Sequence, residues 1–261
     1  MNLERHAKII EIMENKNAVS VKELAAKLGC TEMTVRRNLD ELQKQGFVKR
    51  EHGYAHLLRA AASTDYYKEI QENSAEKHAI AAAALGWIHP GASICLDSGT
   101  TIQSLVDQIP DTMPLSVITP SLTAAMSLSN KQQVQVLLPG GLLHHSNRSL
   151  LIDEQALRQY HADIAFLSCR SFQLPGGTFE HSHSLITTKR ALASIAATRI
   201  LLLDHTKWNV SSICNCIPLD QIDILITDSK APEEDLQKAS ELGKQIWIVD
   251  TATRRVNRFA R

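Results

Sequence analysis

Several things are scarce in this sequence, and each scarcity narrows the reading. Long apolar runs are missing: the longest nearly uncharged one, Ala79–Ile88, is far below the roughly 18 residues of a membrane span, so no membrane partner is expected. No secretory leader is visible either. Met1–Arg5 already carries Glu4 and Arg5 and opens into no apolar core, which makes the cytoplasm the expected compartment. Cysteine is sparse and odd in number. Cys30, Cys95, Cys169, Cys214 and Cys216 are irregularly spaced, which favours reduced thiols over a disulfide framework. Net charge is absent, with 28 Lys+Arg against 28 Asp+Glu. What is present, 44% hydrophobic and 21% charged residues, excludes a disordered or fibrous chain. A length of 261 residues allows one large domain or two unequal ones.

The zero net charge hides an asymmetry. Residues 1–59 hold eleven Lys+Arg and eight Asp+Glu, hence +3, and the remainder carries −3. A basic segment is a weak pointer to nucleic acid, and the helical pattern of that segment strengthens it. Leu3, Ala7, Ile10 and Met13 recur at helical spacing, predicting an amphipathic helix over Leu3–Asn15. A short helix over Val21–Leu28 follows, with Ser20 as N-cap and Gly29 as its stop. Thr31 is placed to cap a third helix that runs to about Lys44. Val35, Leu39 and Leu42 line its buried side, while Met33, Arg37, Asp40 and Lys44 point the opposite way, flanked by Thr34 and Arg36. Two helices joined by a tight turn, with Arg on the outer face of the second, match a helix-turn-helix. Arg suits that face because its fork binds guanine or phosphate bidentately. Two short β-like runs, Phe47–Arg50 and Tyr54–Leu57, then flank Glu51-His52-Gly53. They predict a wing with a three-residue loop and with Lys49, Arg50 and His52 at its tip.

These residues resemble the DeoR family of bacterial transcriptional regulators. The family's winged helix carries a pattern close to Thr34-Val35-Arg36-Arg37-Asn38-Leu39 and ends near Arg50-Glu51-His52-Gly53-Tyr54-Ala55. Two departures stand out: Asn38 where the family usually has Asp, and Tyr54 where it has a second Gly. The candidate DNA-contacting residues are Thr31, Met33, Thr34, Arg36, Arg37, Lys49, Arg50 and His52.

Beyond a connecting segment the pattern changes. Apolar runs at Ile94–Leu96, Leu115–Ile118, Val134–Leu138, Ile164–Leu167, Ile200–Leu203, Ile224–Ile226 and Ile246–Val249 alternate with helical stretches, among them Leu185–Thr198. Continuous apolar strands alternating with helices imply a largely parallel sheet covered on both faces. The expected class is therefore α/β: a winged helix-turn-helix domain over 1–58, a linker over 59–73, a larger domain over 74–252, for which the resemblance implies a sensor and oligomerisation role, and a basic tail over 253–261.

Ligands collect at the carboxyl ends of strands in such sheets. The first strand closes with Asp97-Ser98-Gly99-Thr100-Thr101 and becomes a helix, a combination of glycine, hydroxyls and helix N-terminus that suits phosphate. The second ends in Thr119-Pro120-Ser121 and the third in Pro139-Gly140-Gly141. Plain turns and caps use the same residues, so each loop alone is ambiguous. Lys189 and Lys207 can meet a phosphate and Asp204 a sugar hydroxyl, or each can serve an ordinary ion pair. The resemblance extends through this half, which looks like the ribose-5-phosphate isomerase group of sugar-phosphate-binding folds. It adds Lys77 and groups Asp97–Thr101, Gly140-Gly141, Lys189-Arg190 and Asp204-x-x-Lys207. Where the family tends to carry Gly in a small-residue turn, this chain has Leu151-Ile152-Asp153.

The resemblance implies a regulator, expected as a repressor, of a carbohydrate or polyol operon. Its partners would be double-stranded operator DNA, a phosphorylated sugar or polyol effector, and further copies of itself as a dimer or tetramer. No enzyme activity, cofactor or metal is expected. An activator, or a regulator answering to an unphosphorylated effector, fits the same residues. A sugar-phosphate isomerase with a DNA-binding appendage would need a carboxylate base such as Asp97, Glu180 or Asp204. His144-His145, His181-x-His183 and Cys214-x-Cys216 match no recognised ligand spacing.

Overall fold

The computed structural model describes residues 5–6, 8–9, 12–13, 18–44, 48–51, 53–57, 63–180, 182–210, 212 and 214–259. The chain divides into two compact units, residues 1–72 and 73–261. No helix among the described residues is long and apolar enough to cross a membrane.

In the first unit, the described residues between Arg5 and Met13 are helical, and Ile9 and Met13 are fully buried. Leu3, Ala7 and Ile10 lie outside the described residues. Strand β1 (Val19–Ser20) leads into α1 (Val21–Leu28). Ser20 caps α1 by accepting from the Glu23 amide at 3.1 Å. Gly29 ends it in the left-handed region at φ 61°, where a side chain would be strained. Helix α2 spans Glu32–Lys44, and the Thr31 hydroxyl accepts from the Thr34 amide at 3.3 Å, as its position predicts. Val35, Leu39 and Leu42 reach zero exposure against Ile9, Met13, Leu24, Val48 and Ala55. The wing is β2 (Val48–Glu51) against β3 (Tyr54–Leu57). Glu51 pairs directly with Tyr54, so the loop holds two residues instead of the three expected. Gly53 sits at φ 84°, as a tight hairpin requires. β3 also pairs with β1. Part of the expected linker is helical: α3 covers Ser63–Gln71.

The second unit opens with α4 (Ser74–Leu85) and alternates β4 (Ser93–Leu96), α5 (Thr100–Gln108), β5 (Leu115–Ile118), α6 (Leu122–Leu128) and β6 (Val134–Leu137). A hairpin follows, β7 (Leu142–His144) and β8 (Ser149–Leu151), then the short α7 (Glu154–Leu157) and β9 (Ala162–Leu167). Next come β10 (Ser171–Gln173), β11 (Gly177–Glu180), α8 (Ser184–Ser194), β12 (Ala196–Leu202), β13 (Cys214–Asn215), β14 (Ile224–Asp228), α9 (Glu233–Glu241), β15 (Gln245–Val249) and β16 (Val256–Arg258). Eight strands form one sheet in the order β16-β15-β14-β12-β9-β4-β5-β6, and only β16 runs antiparallel to its neighbour. All seven apolar runs read from the sequence are strands of this sheet.

Successive residues bury on opposite faces, as the pleat demands. Ile94, Leu96, Ile164, Phe166, Ile200 and Leu202 pack beneath α4, α5 and α6, while Cys95, Ala165, Leu167, Leu201 and Leu203 pack beneath α8 and α9. Two expectations are corrected. The helix expected over Leu185–Thr198 ends at Ser194, because Ala196–Leu201 is drawn into the sheet beside β9. The expected basic tail is not wholly a tail: Val256–Arg258 pairs with Trp247–Val249.

Candidate functional site

In the first unit the outer face of α2 is as the periodicity predicts. Met33, Arg36 and Arg37 are exposed, and Thr34 is half-buried. Arg36 faces Glu32 at 3.5 Å, Arg50 of the wing lies against Asp40 of α2, and Lys49 pairs with Glu51 at 2.5 Å. Arg37, by contrast, forms no ion pair among the described residues. His52 lies outside the described residues. Asn38 explains its departure from the family pattern: it is buried, and its amide donates to the Thr34 carbonyl at 2.7 Å, a bond an ionised Asp cannot make. His6 is buried beside it, 3.3 Å from Glu41. Burial pulls the His6 imidazole below its ordinary range, partly offset by Glu41 and Asn38.

In the second unit the connections leave β4 in one direction, through β5 to β6, and resume on its other side, through β9, β12, β14 and β15. The strand order therefore reverses between β4 and β9, and at such a point an open parallel sheet has its crevice. Asp97 and Ser98 follow β4, and Ser168 follows β9. The Asp97 carboxylate, 1% exposed, accepts from the Ser98 amide at 2.7 Å, from the Ser168 amide and hydroxyl at 3.0 Å each, and from the Lys189 ammonium at 2.5 Å. Lys189 also donates to the Ser168 carbonyl at 2.8 Å and faces Glu180 at 3.2 Å. Glu180 in turn accepts from the Arg170 amide at 3.3 Å. Burial pulls the Lys189 pKa down, but the Asp97 and Glu180 carboxylates overcome it, so the amine is held charged well above its ordinary range. The same surroundings push the Cys216 thiol up to about 12, chiefly through burial.

Lys189 is thus the buried centre of an ion cluster joining β4, β9, β11 and α8. Of the two roles the sequence allows Lys189, a phosphate contact or an ion pair, the structure shows the ion pair. Gly99 serves the cluster too. At φ 144°, a Cβ there would come 2.7 Å from the Ser168 hydroxyl.

Helix α5 begins directly behind Gly99 with no side-chain cap, leaving its first backbone amides to other partners. Ser98, Thr100 and Thr101 are buried around this helix start. Asp204, 1% exposed, lies two residues past β12: one carboxylate oxygen caps the turn at the Thr206 amide at 2.9 Å, while the other, Oδ2, is buried with no hydrogen-bond partner among the described residues. Burial pushes the Cys169 thiol up, with Glu180 and Asp204 adding to the shift and Lys189 and Lys207 opposing it. Lys77 is fully buried on α4 and is engaged.

The other expected residues do local work. Thr119 accepts from the Ser121 amide at 3.1 Å, and Ser121 caps α6 at Ala124 at 3.2 Å. Gly141 is small because the Leu151 carbonyl would lie 2.2 Å from a Cβ, whereas nothing approaches Gly140. Ile152 is buried in the core, and its amide donates to Thr188 at 2.7 Å. Ser168 and Thr188 escaped the sequence reading. Ser168 directly follows an apolar strand, the same signal that flagged Asp97.

The comparisons agree with this two-part architecture. Residues 5–60 match the DeoR-like helix-turn-helix domain and residues 72–229 the DeoR C-terminal sensor domain. A Bacillus subtilis helix-turn-helix transcriptional regulator, YulB, is 33% identical over 87% of this chain and 88% of its own. The Listeria innocua regulator GolR is 30% identical over 95% and 98%. The glycerol-3-phosphate regulon repressor of Escherichia coli is 27% identical over 90% and 94%. Among solved structures, ribose 5-phosphate isomerase A from Methanocaldococcus jannaschii is similar at 17% identity and TM-score 0.39, over 51% of this chain and 53% of its own. With both domain models matched in order and relatives aligned over most of its length, this chain belongs to the DeoR family of helix-turn-helix transcriptional regulators.

Proposed function

We propose that this regulator is a cytoplasmic repressor of a carbohydrate or polyol operon, released from operator DNA by a phosphorylated sugar or polyol. One observation carries the reading. At the β4–β9 crevice, α5 starts without a side-chain cap among the buried hydroxyls of Ser98, Thr100 and Thr101, and past the end of β12, the strand next to β9, Asp204 keeps a buried carboxylate oxygen with no hydrogen-bond partner among the described residues. Helix-start amides suit a phosphate, and an unsatisfied carboxylate oxygen suits a sugar hydroxyl. The name of the glycerol-3-phosphate regulon repressor supports a phosphorylated ligand.

Arg37, Thr34 and Met33 would enter the major groove, with Arg36, Lys49 and Arg50 near the phosphates. One winged helix reads few base pairs, so specificity calls for two or more copies. The effector would favour a conformation whose winged helices are wrongly spaced for the operator, and the shift cannot exceed its differential affinity for the two states.

The test is thermal unfolding against a panel of sugar and polyol phosphates, each beside its unphosphorylated parent. A ligand at 100 times its dissociation constant adds about 2.7 kcal/mol, a shift of roughly 5–10 °C for a unit of this size. Stabilisation by phosphorylated members alone is the expected result. Equal effects from the parents, or none across the panel, would sink the phosphate site and leave the family assignment standing.

A further inference from the structure

We propose that the hairpin made by β15, the turn over 250–255 and β16 is a second duplex-binding surface, one that holds DNA phosphates without reading sequence. Its charge stands against that of its surroundings. Residues 60–249 hold thirteen Lys+Arg against nineteen Asp+Glu, hence −6, whereas residues 250–261 hold four Arg against one Asp, hence +3. All four cations are arginine, whose planar fork binds phosphate bidentately and stays charged at any working pH.

The fold leaves these charges facing water. Arg254, Arg255 and Arg258 are exposed, and none forms an ion pair among the described residues. The one acid, Asp250, feels the Arg255 charge, yet its carboxylate is occupied by the turn itself, accepting from the Ala252 and Thr253 amides at 2.9 and 2.7 Å. Backbone bonds fix the arginines in place. The Arg254 amide donates to the Asp250 carbonyl at 2.8 Å, with Arg254 at φ 57°, and the Asp250 amide donates to the Arg255 carbonyl at 2.9 Å. Val256–Arg258 then pairs antiparallel with Trp247–Val249, and the Phe259 amide donates to the Ile246 carbonyl at 2.8 Å. Since Arg255 and Phe259 bond inward, the alternation of an antiparallel ladder turns the Val256 and Arg258 amides off the free edge of the sheet. Exposed Asn257 stands between them. Guanidinium, backbone amide and carboxamide are donors that nucleic-acid phosphates accept from.

The openness of the patch selects the partner. Exposed arginines along a strand edge give a small anion one contact at a time, in full competition with water. A duplex presents a charge about every 1.7 Å, so several arginines engage together and released counterions drive the binding. The chain belongs to a family of DNA-binding regulators, which makes DNA the polyanion it meets. Positive charge also guards an edge strand against pairing, but at three residues β16 is already blunted by its length and does not call for three arginines. Contacts from this hairpin strengthen binding at every site alike and leave the choice of sequence to the winged helix.

Fluorescence anisotropy of a random-sequence duplex against the full chain, from about 50 to 200 mM NaCl, tests it. Three variants stand beside the wild type. One replaces Arg254, Arg255 and Arg258 by Gln, one replaces the same three by Lys, and the control combines Arg158→Gln with Lys238→Gln, exposed cations elsewhere in the second unit. Each arginine on a phosphate contributes about 0.9 to the slope of log affinity against log salt, so the triple Gln variant should lose up to about 2.7 per copy bound. The wild type's advantage over it should then shrink by up to roughly 40-fold across that salt range. The Lys variant should keep the slope, and the control should match the wild type. Melting temperatures check folding, and single Gln replacements, at about 0.9 each, carry the test if the triple variant does not fold. A Gln variant with the wild-type slope, or one no weaker than the control, would overturn the proposal. A Lys variant that loses the slope equally would trace the loss to the hairpin's shape and overturn it as well. So would a wild type that leaves random duplex unbound at the lowest salt, because phosphate contacts are blind to sequence. In each case the winged helix, tested separately through Arg37→Ala, would stand or fall on its own.

Discussion

The Lys189 cluster separates two roles for one residue, and replacing it by Met decides between them. The side chain keeps most of its volume and loses only its ammonium. In the protein that ammonium lies 2.5 Å from Asp97, 3.2 Å from Glu180 and 2.8 Å from the Ser168 carbonyl, at a site where lysine and both carboxylates are at most 4% exposed. Lys189→Met strands two carboxylates side by side with no cation and almost no water. Removing one member of a buried ion pair costs about 3–5 kcal/mol. At roughly 2–4 °C per kcal/mol, the ligand-free protein should melt some 6–20 °C lower at neutral pH. Acidification should narrow the gap between variant and wild type, since one of two crowded carboxylates then protonates. Lys189→Met combined with Asp97→Asn should recover part of the loss, because a neutral amide replaces one stranded charge. Differential scanning calorimetry of the three proteins from pH 5 to 8 is the assay. A ligand-free Lys189→Met protein melting within about 1 °C of wild type would refute the reasoning and return Lys189 to the role of a free phosphate ligand.

Three further outcomes are expected. Arg37→Ala should weaken duplex binding at low salt and, if Arg37 meets a phosphate, reduce the slope of log affinity against log salt by about 0.9; unchanged affinity would remove α2 from DNA recognition. Gly99→Ala should destabilise the second unit by about 1–3 kcal/mol, because Ala disfavours φ 144° and its methyl meets the Ser168 hydroxyl, and it should blunt stabilisation by any phosphorylated ligand. His6 binds protons less tightly in the folded unit than when unfolded, so its contribution to stability is intact above the unfolded value of about 6.5 and falls as pH drops below it. Amide protection factors at Val35 and Leu39, corrected for the intrinsic exchange rate at each pH, should therefore fall between pH 7 and 5.5, and a His6→Phe variant should lose that fall.

Periodicity and caps are local, and the sequence by itself determined what they govern. The 3.6-residue spacing of Val35, Leu39 and Leu42, the Ser20 and Thr31 caps and Gly29 specify the helix-turn-helix, because each needs only neighbours within one or two turns. Seven apolar runs specify a buried parallel sheet for the same reason. Strand order, and with it the crevice between β4 and β9, came only with tertiary structure, since apolar runs do not say which strand lies beside which.

The partners of Lys189 were out of reach for the same cause. Asp97 is 92 residues away, and a lysine on a helix looks alike in sequence whether solvated or buried. Gly141 and Ile152 carry the same lesson: one is small because a carbonyl 10 residues on crowds it, the other large because the core has room. Strand Val256–Arg258 read as a solvated tail because its charge pattern is a tail's, and only the free edge of β15 gives it somewhere to pair. Local chemistry sets what each segment can be; long-range packing sets which charge is spent inside the fold and which is left for a ligand or a groove of DNA.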